Sequence, residues 1–245
     1  MPPTDKPTIV FIHGGQHSRA CWQLTIDALN TASPGVATLA VDLPGRRDQP
    51  GDLATMTIEH CVRSVVAQIE SIGAQRVMLV GHSQAGITLP GVITALGAER
   101  VTRAVYLACC VPKQGTTVLS SLAWPVSWFA TALSKFVKVS KPMPAPMAKW
   151  MFANGMSKDL QAQVVAGLVA ESAVIVKEPV DRRAMPKVPT TWIVTLRDRS
   201  VRPKLQRRFL QNLGNVDEVV EMDTCHNAMM SEPDQLAALL LARLG

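Results

Sequence analysis

The feature that most restricts the fold is an alternation along the chain, in which short apolar, β-branched runs take turns with longer segments of helical periodicity. A strand covered on both faces reads as a short apolar run. Strands alternating with helices are the pattern of a parallel sheet flanked by helices. Residues 8–13, 36–42, 76–80 and 101–108 are such runs, and 190–196 and 218–222 resume the pattern after a gap. Helices are expected between them, near 22–29, 57–69, 84–96 and 204–213, and from about 233 onward. In the second of these, Ile58, Cys61, Val62, Val65, Val66 and Ile69 form one apolar stripe, with Thr55 or Thr57 as N-cap. The chain has 245 residues, 47% hydrophobic and 18% charged, which suits one α/β domain with an insertion and argues against disorder.

The rhythm breaks between the fourth and fifth runs. Residues 112–185 contain no convincing strand; 174–176 hint at one but are too short. Trp124, Trp128, Phe129, Phe136, Trp150 and Phe152 crowd this stretch, and the proline-rich piece 141–146 reads as a stiff, extended hinge. The expected organisation is a core formed by 1–111 and 186–245, with a helical cap, 112–185, inserted after the fourth strand. Residues 118–139 are apolar, but Pro125, Lys135, Lys138 and several serines interrupt them, so an amphipathic cap helix is expected rather than stable membrane insertion.

Charge and cysteine content narrow the function classes. The formal net charge of +6 comes from scattered pairs such as Arg46–Arg47, Arg182–Arg183 and Arg207–Arg208, with no aromatic-interleaved basic patch for nucleic acid. Five irregularly spaced cysteines, none in a CxxC pair, indicate neither a disulfide framework nor a zinc site. The N-terminus lacks the pattern of a secretory signal, so a reduced, cytoplasmic protein is expected. A homodimer is compatible with the sequence.

The strongest chemical signal is Gly81-His82-Ser83-Gln84-Ala85-Gly86, which follows one apolar run and opens a helical segment. A serine on a strained strand-to-helix turn is presented alone above a sheet, provided that its neighbours are small. Here Gly81 and Ala85 stand two places to either side, and the second glycine is displaced by one position to Gly86. The Gln84 amide, at a helix start, can receive an oxyanion; so can Gly15, in His13-Gly14-Gly15 after the first run. A serine hydroxyl needs a neighbouring base. His226 is the histidine in a polar loop between the last run and the last helix. The acid orienting it is expected after the fifth run, at Asp198, giving the chain order Ser83, Asp198, His226. Asp223 and Asp181 are rivals, whereas 109–112, after the fourth run, offer no carboxylate.

These motifs carry a resemblance. VFIHGG, Trp22 nine residues past His13, VDLPGR, VGHSQAG, TLRD and CHNAMMSEPDQL make the chain similar to the plant methylesterase and hydroxynitrile lyase branch of the α/β-hydrolase superfamily and its bacterial esterase-like relatives. The resemblance implies an α/β-hydrolase fold with a mostly parallel sheet lacking the first hairpin. It also implies a helical cap and cofactor-independent catalysis by Ser83, Asp198 and His226, with Gly15 and Gln84 as oxyanion hole and no metal. Hydroxynitrile lyases of this branch have a lysine after the catalytic histidine and a threonine at the place of Gly14. Asn227 and Gly14 therefore favour the esterase side.

The expectation is a carboxylic-ester or lactone hydrolase acting on a small, largely apolar molecule. Gly14, Trp124, Trp128 and Met230 are candidate substrate contacts. The alternatives are a non-hydrolytic enzyme on the same residues (a lyase, cofactor-free dioxygenase or cyclase) and a ligand-binding protein that retains the triad.

Overall fold

A computed structural model of the chain describes residues 6–121 and 137–244. The strands among them are β1 (Thr8–Ile12), β2 (Thr38–Val41), β3 (Val77–His82), β4 (Val101–Leu107), β5 (Val139–Ser140), β6 (Glu171–Ser172), β7 (Thr190–Thr195) and β8 (Glu218–Met222). The helices are α1 (Gln23–Ala32), α2 (Ile58–Ser71), α3 (Leu89–Leu96), α4 (Ala145–Phe152), α5 (Lys158–Ala166), α6 (Pro203–Leu213), α7 (Ala228–Ser231) and α8 (Pro233–Leu241).

Six strands form one parallel sheet in the order β2-β1-β3-β4-β7-β8. The two-residue period of a strand sends alternate side chains to opposite faces. Val10, Ile12, Val77, Leu79, Trp192 and Val194 accordingly enter one core cluster, and Ile9, Phe11, Met78, Val80 and Ile193 the other. The first cluster holds Cys61, Val62, Val65 and Ile69 of α2 together with Val92 of α3 and Phe209 of α6. The second holds Leu29 of α1 and Leu236 and Leu240 of α8. The α2 stripe is the one read from the sequence, and Thr57 caps this helix by accepting the His60 N–H at 3.1 Å.

From β1 the chain steps outward to β2 and then returns to the other side of β1 as β3. In such a sheet the crevice at the carboxyl ends of the strands beside that switch receives ligands. Ile12 and Gly81 are register partners there, so the loops that carry Gly15 and Ser83 start side by side.

The segment between β4 and β7 is not all helix. β5 and β6 form a short antiparallel ladder, pairing Val139 with Ser172 and Ser140 with Glu171. Two residues per strand are too few to show a period, which is why the sequence reading found no strand here. Residues 175–177, at the place of the hinted strand, are a 3-10 turn. Much of the amphipathic helix expected over 118–139 lies outside the described residues.

The helical segment expected over 84–96 begins as a 3-10 turn, Ser83–Ile87, before α3 proper. This turn lies flat against the chain leaving β4. A Cβ on Gly86 would stand 2.5 Å from the Cys110 carbonyl oxygen and 2.9 Å from the Cys109 Cβ. Gly86→Ala is therefore expected to cost about 1–3 kcal/mol through forced backbone shifts. The effect reads out as a thermal midpoint several degrees lower; an unchanged midpoint would contradict the close packing described here.

Candidate active site

Ser83 follows β3 directly and has φ +54°, in the left-handed region that L residues seldom occupy. The strain lifts its side chain off the sheet, and missing side chains around it make room. A Cβ on Gly14 would stand 2.8 Å from the Ser83 Cβ, and one on Gly81 2.5 Å from a Leu89 methyl. Gly81 has no side chain, so Ala85, fully buried, fits where the usual motif has a second glycine.

The Ser83 Oγ lies 3.0 Å from Nε2 of His226, in the loop after β8. Nδ1 of the same ring lies 2.7 Å from Oδ2 of Asp198, in the loop after β7. Asp198 is buried, and its carboxylate is held by more than the imidazole. Oδ2 also accepts from the Thr195 hydroxyl (2.9 Å) and Gln206 Nε2 (3.1 Å), and Oδ1 accepts the backbone N–H groups of Ser200 (2.7 Å) and Val201 (2.8 Å). With an acceptor-only carboxylate at Nδ1, that nitrogen carries the proton and Nε2 accepts from the serine. The flanking arginines are occupied elsewhere: Arg197 pairs with Asp223, and Arg199 lies over the Trp150 ring. Both rival acids are exposed and paired with arginines, Asp223 with Arg197 and Asp181 with Arg183.

Three further histidines surround this line. His82, fully buried, has its ring 4.5 Å from that of His226 and donates from Nε2 to the His226 carbonyl at 3.0 Å. His17 Nδ1 donates to the Gly15 carbonyl at 2.8 Å, while its Nε2 accepts from the Asn227 amide at 3.0 Å. His13 Nδ1 donates to the Gly14 carbonyl at 2.9 Å, while its Nε2 accepts the Leu43 N–H at 3.2 Å. Burial lowers the affinity of all three for a second proton, to about 3 for His13 and about 4 for His17, and well below the ordinary range for His82. All three are neutral, and each fixes backbone. The sequence showed them only as histidines beside glycine turns or in a loop.

A cavity of about 420 Å³ opens over Ser83 and His226. Its wall near the nucleophile includes Gly15, Gln84 and Cys110, and its apolar part includes Met143, Phe152, Val176, Val201, Leu205 and Phe209. The Gln84 N–H belongs to the first turn of its helix and has no acceptor within it. Cys110, whose N–H donates to the Ser83 carbonyl at 2.8 Å, is no rival nucleophile, because burial pushes its thiol up to about 12. Among the described residues no cluster of three or more His, Cys, Asp or Glu side chains could hold a metal ion.

Of the expected substrate contacts, Gly14 is pressed against His82 and Ser83 beneath the cavity. Met230 is buried in the core cluster of Trp22 and Leu236 rather than in the cavity wall. Trp124 and Trp128 lie outside the described residues. Phe152, Glu171 and Cys110, which do border the cavity, were not singled out as site residues from the sequence. None has a local signature; Phe152 was one of several cap aromatics.

The parallel sheet, the left-handed serine after β3 and the buried Ser–His–Asp line together define an α/β-hydrolase. The chain belongs to the alpha/beta hydrolase family, whose sequence profile matches residues 9–239. It is similar to the probable esterase PIR7A of Oryza sativa subsp. indica, 26% identical over 264 aligned positions that cover 95% of this chain and 94% of that one. A carbendazim hydrolyzing esterase of Nocardioides sp. (strain SG-4G) is 30% identical over 148 residues, 56% of this chain and 60% of that protein's length. Among solved structures, an extracellular alpha/beta-hydrolase from a Paenibacillus species superposes with a TM-score of 0.83, covering 97% of this chain and 98% of that one. At 20% identity that likeness carries the fold alone.

The neutral histidines make the fold acid-sensitive. In the unfolded chain each takes up a proton near pH 6.5, whereas in the fold His17 resists until about 4 and His13 until about 3. Across that interval the unfolded state binds more protons. Stability is therefore full above pH 6.5 and falls on acidification, by about 1.4 kcal/mol per pH unit for each histidine. Urea unfolding followed from pH 7.5 to 5 is expected to show this decline. A flat profile would mean that the rings are not held neutral.

Proposed function

We propose that this chain is a serine hydrolase that cleaves a carboxylic ester or lactone of a small, largely apolar substrate through an acyl-enzyme on Ser83. The observation that carries the reading is the buried line Ser83–His226–Asp198, with its hydroxyl end at the wall of a cavity that also borders Gly15 and Gln84. The likeness to the rice and Nocardioides esterases over their matched lengths supports the ester class.

The chemistry follows from the tautomer. Ser83 Oγ–H donates to His226 Nε2, so attack of Oγ on the substrate carbonyl hands the proton to the ring in the same movement. Asp198 accepts from Nδ1 and stabilises the imidazolium that forms. The carbonyl oxygen becomes an oxyanion and takes hydrogen bonds from the Gly15 and Gln84 amides, each worth on the order of 3 kcal/mol in the transition state. Collapse of the tetrahedral intermediate breaks the bond to the alkoxy oxygen, which receives the proton from His226. Water then attacks the acyl-enzyme by the same route and frees Ser83. The apolar lining of Met143, Val176, Val201, Leu205 and Phe209 suits a hydrocarbon or aromatic group. Among the described residues the lining includes no Lys or Arg, so an anionic substrate would find no counter-ion there.

Ser83→Ala is expected to lower kcat/KM for a p-nitrophenyl ester by at least ~10³-fold with an unchanged fold. His226→Ala should do the same. Neutral medium-chain acyl esters should turn over faster than half-esters of dicarboxylic acids. Full activity in Ser83→Ala refutes the nucleophile, and a preference for the charged half-esters refutes the pocket.

A further inference from the structure

Two consecutive glycines leave the backbone around Gly15 with more freedom than any other pair of residues would, yet an oxyanion donor works only when its N–H is aimed in advance. The peptide planes on either side of the Gly15 Cα are each fixed by buried side chains. In the Gly14–Gly15 peptide, the carbonyl accepts from His13 Nδ1, which leaves the Gly15 N–H as the end that faces the cavity. In the Gly15–Gln16 peptide, the carbonyl accepts from His17 Nδ1 at 2.8 Å, and the N–H donates to Oε2 of Glu171 at 2.9 Å.

Glu171 does not belong to this loop. It lies on β6, 155 residues away, in the segment between β4 and β7. The same Oε2 takes Arg46 Nη2 at 2.5 Å, and Arg46 Nε donates to the His17 carbonyl at 2.8 Å. Both side chains are buried, at 1% exposure for Arg46 and 8% for Glu171. The remaining polar groups of Gln16 reach the same segment: its side chain bridges the Lys141 carbonyl (3.0 Å) and the Met143 N–H (2.9 Å), and its carbonyl accepts from Val169 (2.9 Å). Gln16 itself has φ +60°, a conformation that a non-glycine residue keeps only when its surroundings enforce it.

We propose that Glu171, with Arg46 as its counter-ion, is a positioning residue for the oxyanion donor Gly15, so that the segment between β4 and β7 completes the hole that the core loop begins. The inference rests on the ester-hydrolase reading above. Glu171 touches no reacting atom in it; the carboxylate orients one peptide, and that peptide orients the next. A misaimed donor loses transition-state binding but leaves ground-state binding of the apolar group intact.

The test uses two variants and a reporter of the oxyanion. Glu171→Gln keeps one acceptor for the Gln16 N–H. The double variant Arg46→Met, Glu171→Leu removes the acceptor and its counter-ion together, which avoids leaving a lone buried charge. The expected result is a fall in kcat of about 10- to 100-fold in the double variant and a smaller one in Glu171→Gln, with KM within about two-fold of wild type. A trifluoromethyl ketone of the substrate's acyl chain forms a tetrahedral oxyanion on Ser83, and its affinity should fall by the same factor as kcat/KM. An ether analogue, which forms no oxyanion, should bind all forms alike. In the wild-type protein, the Gln16 amide should exchange slowly with deuterium, which can be measured whether or not the variants fold. Unchanged kcat in folded variants, ketone affinity that does not follow kcat/KM, or a freely exchanging Gln16 amide overturns the proposal. If wild type binds the ketone no better than Ser83→Ala does, the ester reading itself fails and takes the proposal with it.

Discussion

The site depends on one residue held where an L amino acid prefers not to be. Ser83 at φ +54° costs on the order of 1–3 kcal/mol, and the surrounding packing sustains it. Fully buried β3 anchors one side, and the 3-10 turn, itself pressed onto the chain that leaves β4, anchors the other. Three glycines allow the approach. Gly14 lets the β1 loop come under the serine, Gly81 leaves space for Leu89, and Gly86 lets the turn lie on the Cys110 carbonyl. The strain presents a hydroxyl that is hydrogen-bonded to one base and otherwise faces the cavity.

Around that point polar atoms are buried and mostly satisfied, which is where the specificity of the arrangement resides. Asp198 accepts from five donors: Thr195, Ser200 and Val201 of β7 and its own loop, Gln206 of α6, and the His226 ring. A carboxylate so held cannot swing, so the imidazole it accepts from has one orientation. Asp223, only three residues before His226, is nearer in sequence but lies in solvent with Arg197. Nearness in sequence does not decide the matter; the parallel order of β7 and β8 brings Asp198, the acid expected from the chain order, to the ring.

The same contrast explains what the sequence made legible. The six long strands were visible because burial on both faces demands unbroken apolar, β-branched runs, and the serine turn because its backbone demands small residues at fixed offsets. The β5–β6 ladder was not visible, since two residues per strand carry no period. Arg46 and Glu171 were invisible as a pair: they are separated by 125 residues, and neither stands in a motif that points to the other. Met230 and Gly14 stand beside the catalytic motifs in sequence, which makes them candidate substrate contacts there. A residue next to a motif can equally serve as its support, as the packing of both residues shows.

Four imidazoles gather within one small volume, and only one of them can serve the serine. If a neighbouring ring carried a proton, its charge would oppose the imidazolium that the proposed mechanism forms on His226. Burial keeps the other rings neutral, and in His13 and His17 the second nitrogen accepts a hydrogen bond, so that a second proton has no place to go. Burial holds His82 neutral, and the neighbouring His226 and His17 rings act in the same direction. The cluster thus acts as a scaffold of neutral dipoles. In the proposed mechanism the positive charge is confined to the one ring whose Nδ1 faces a carboxylate.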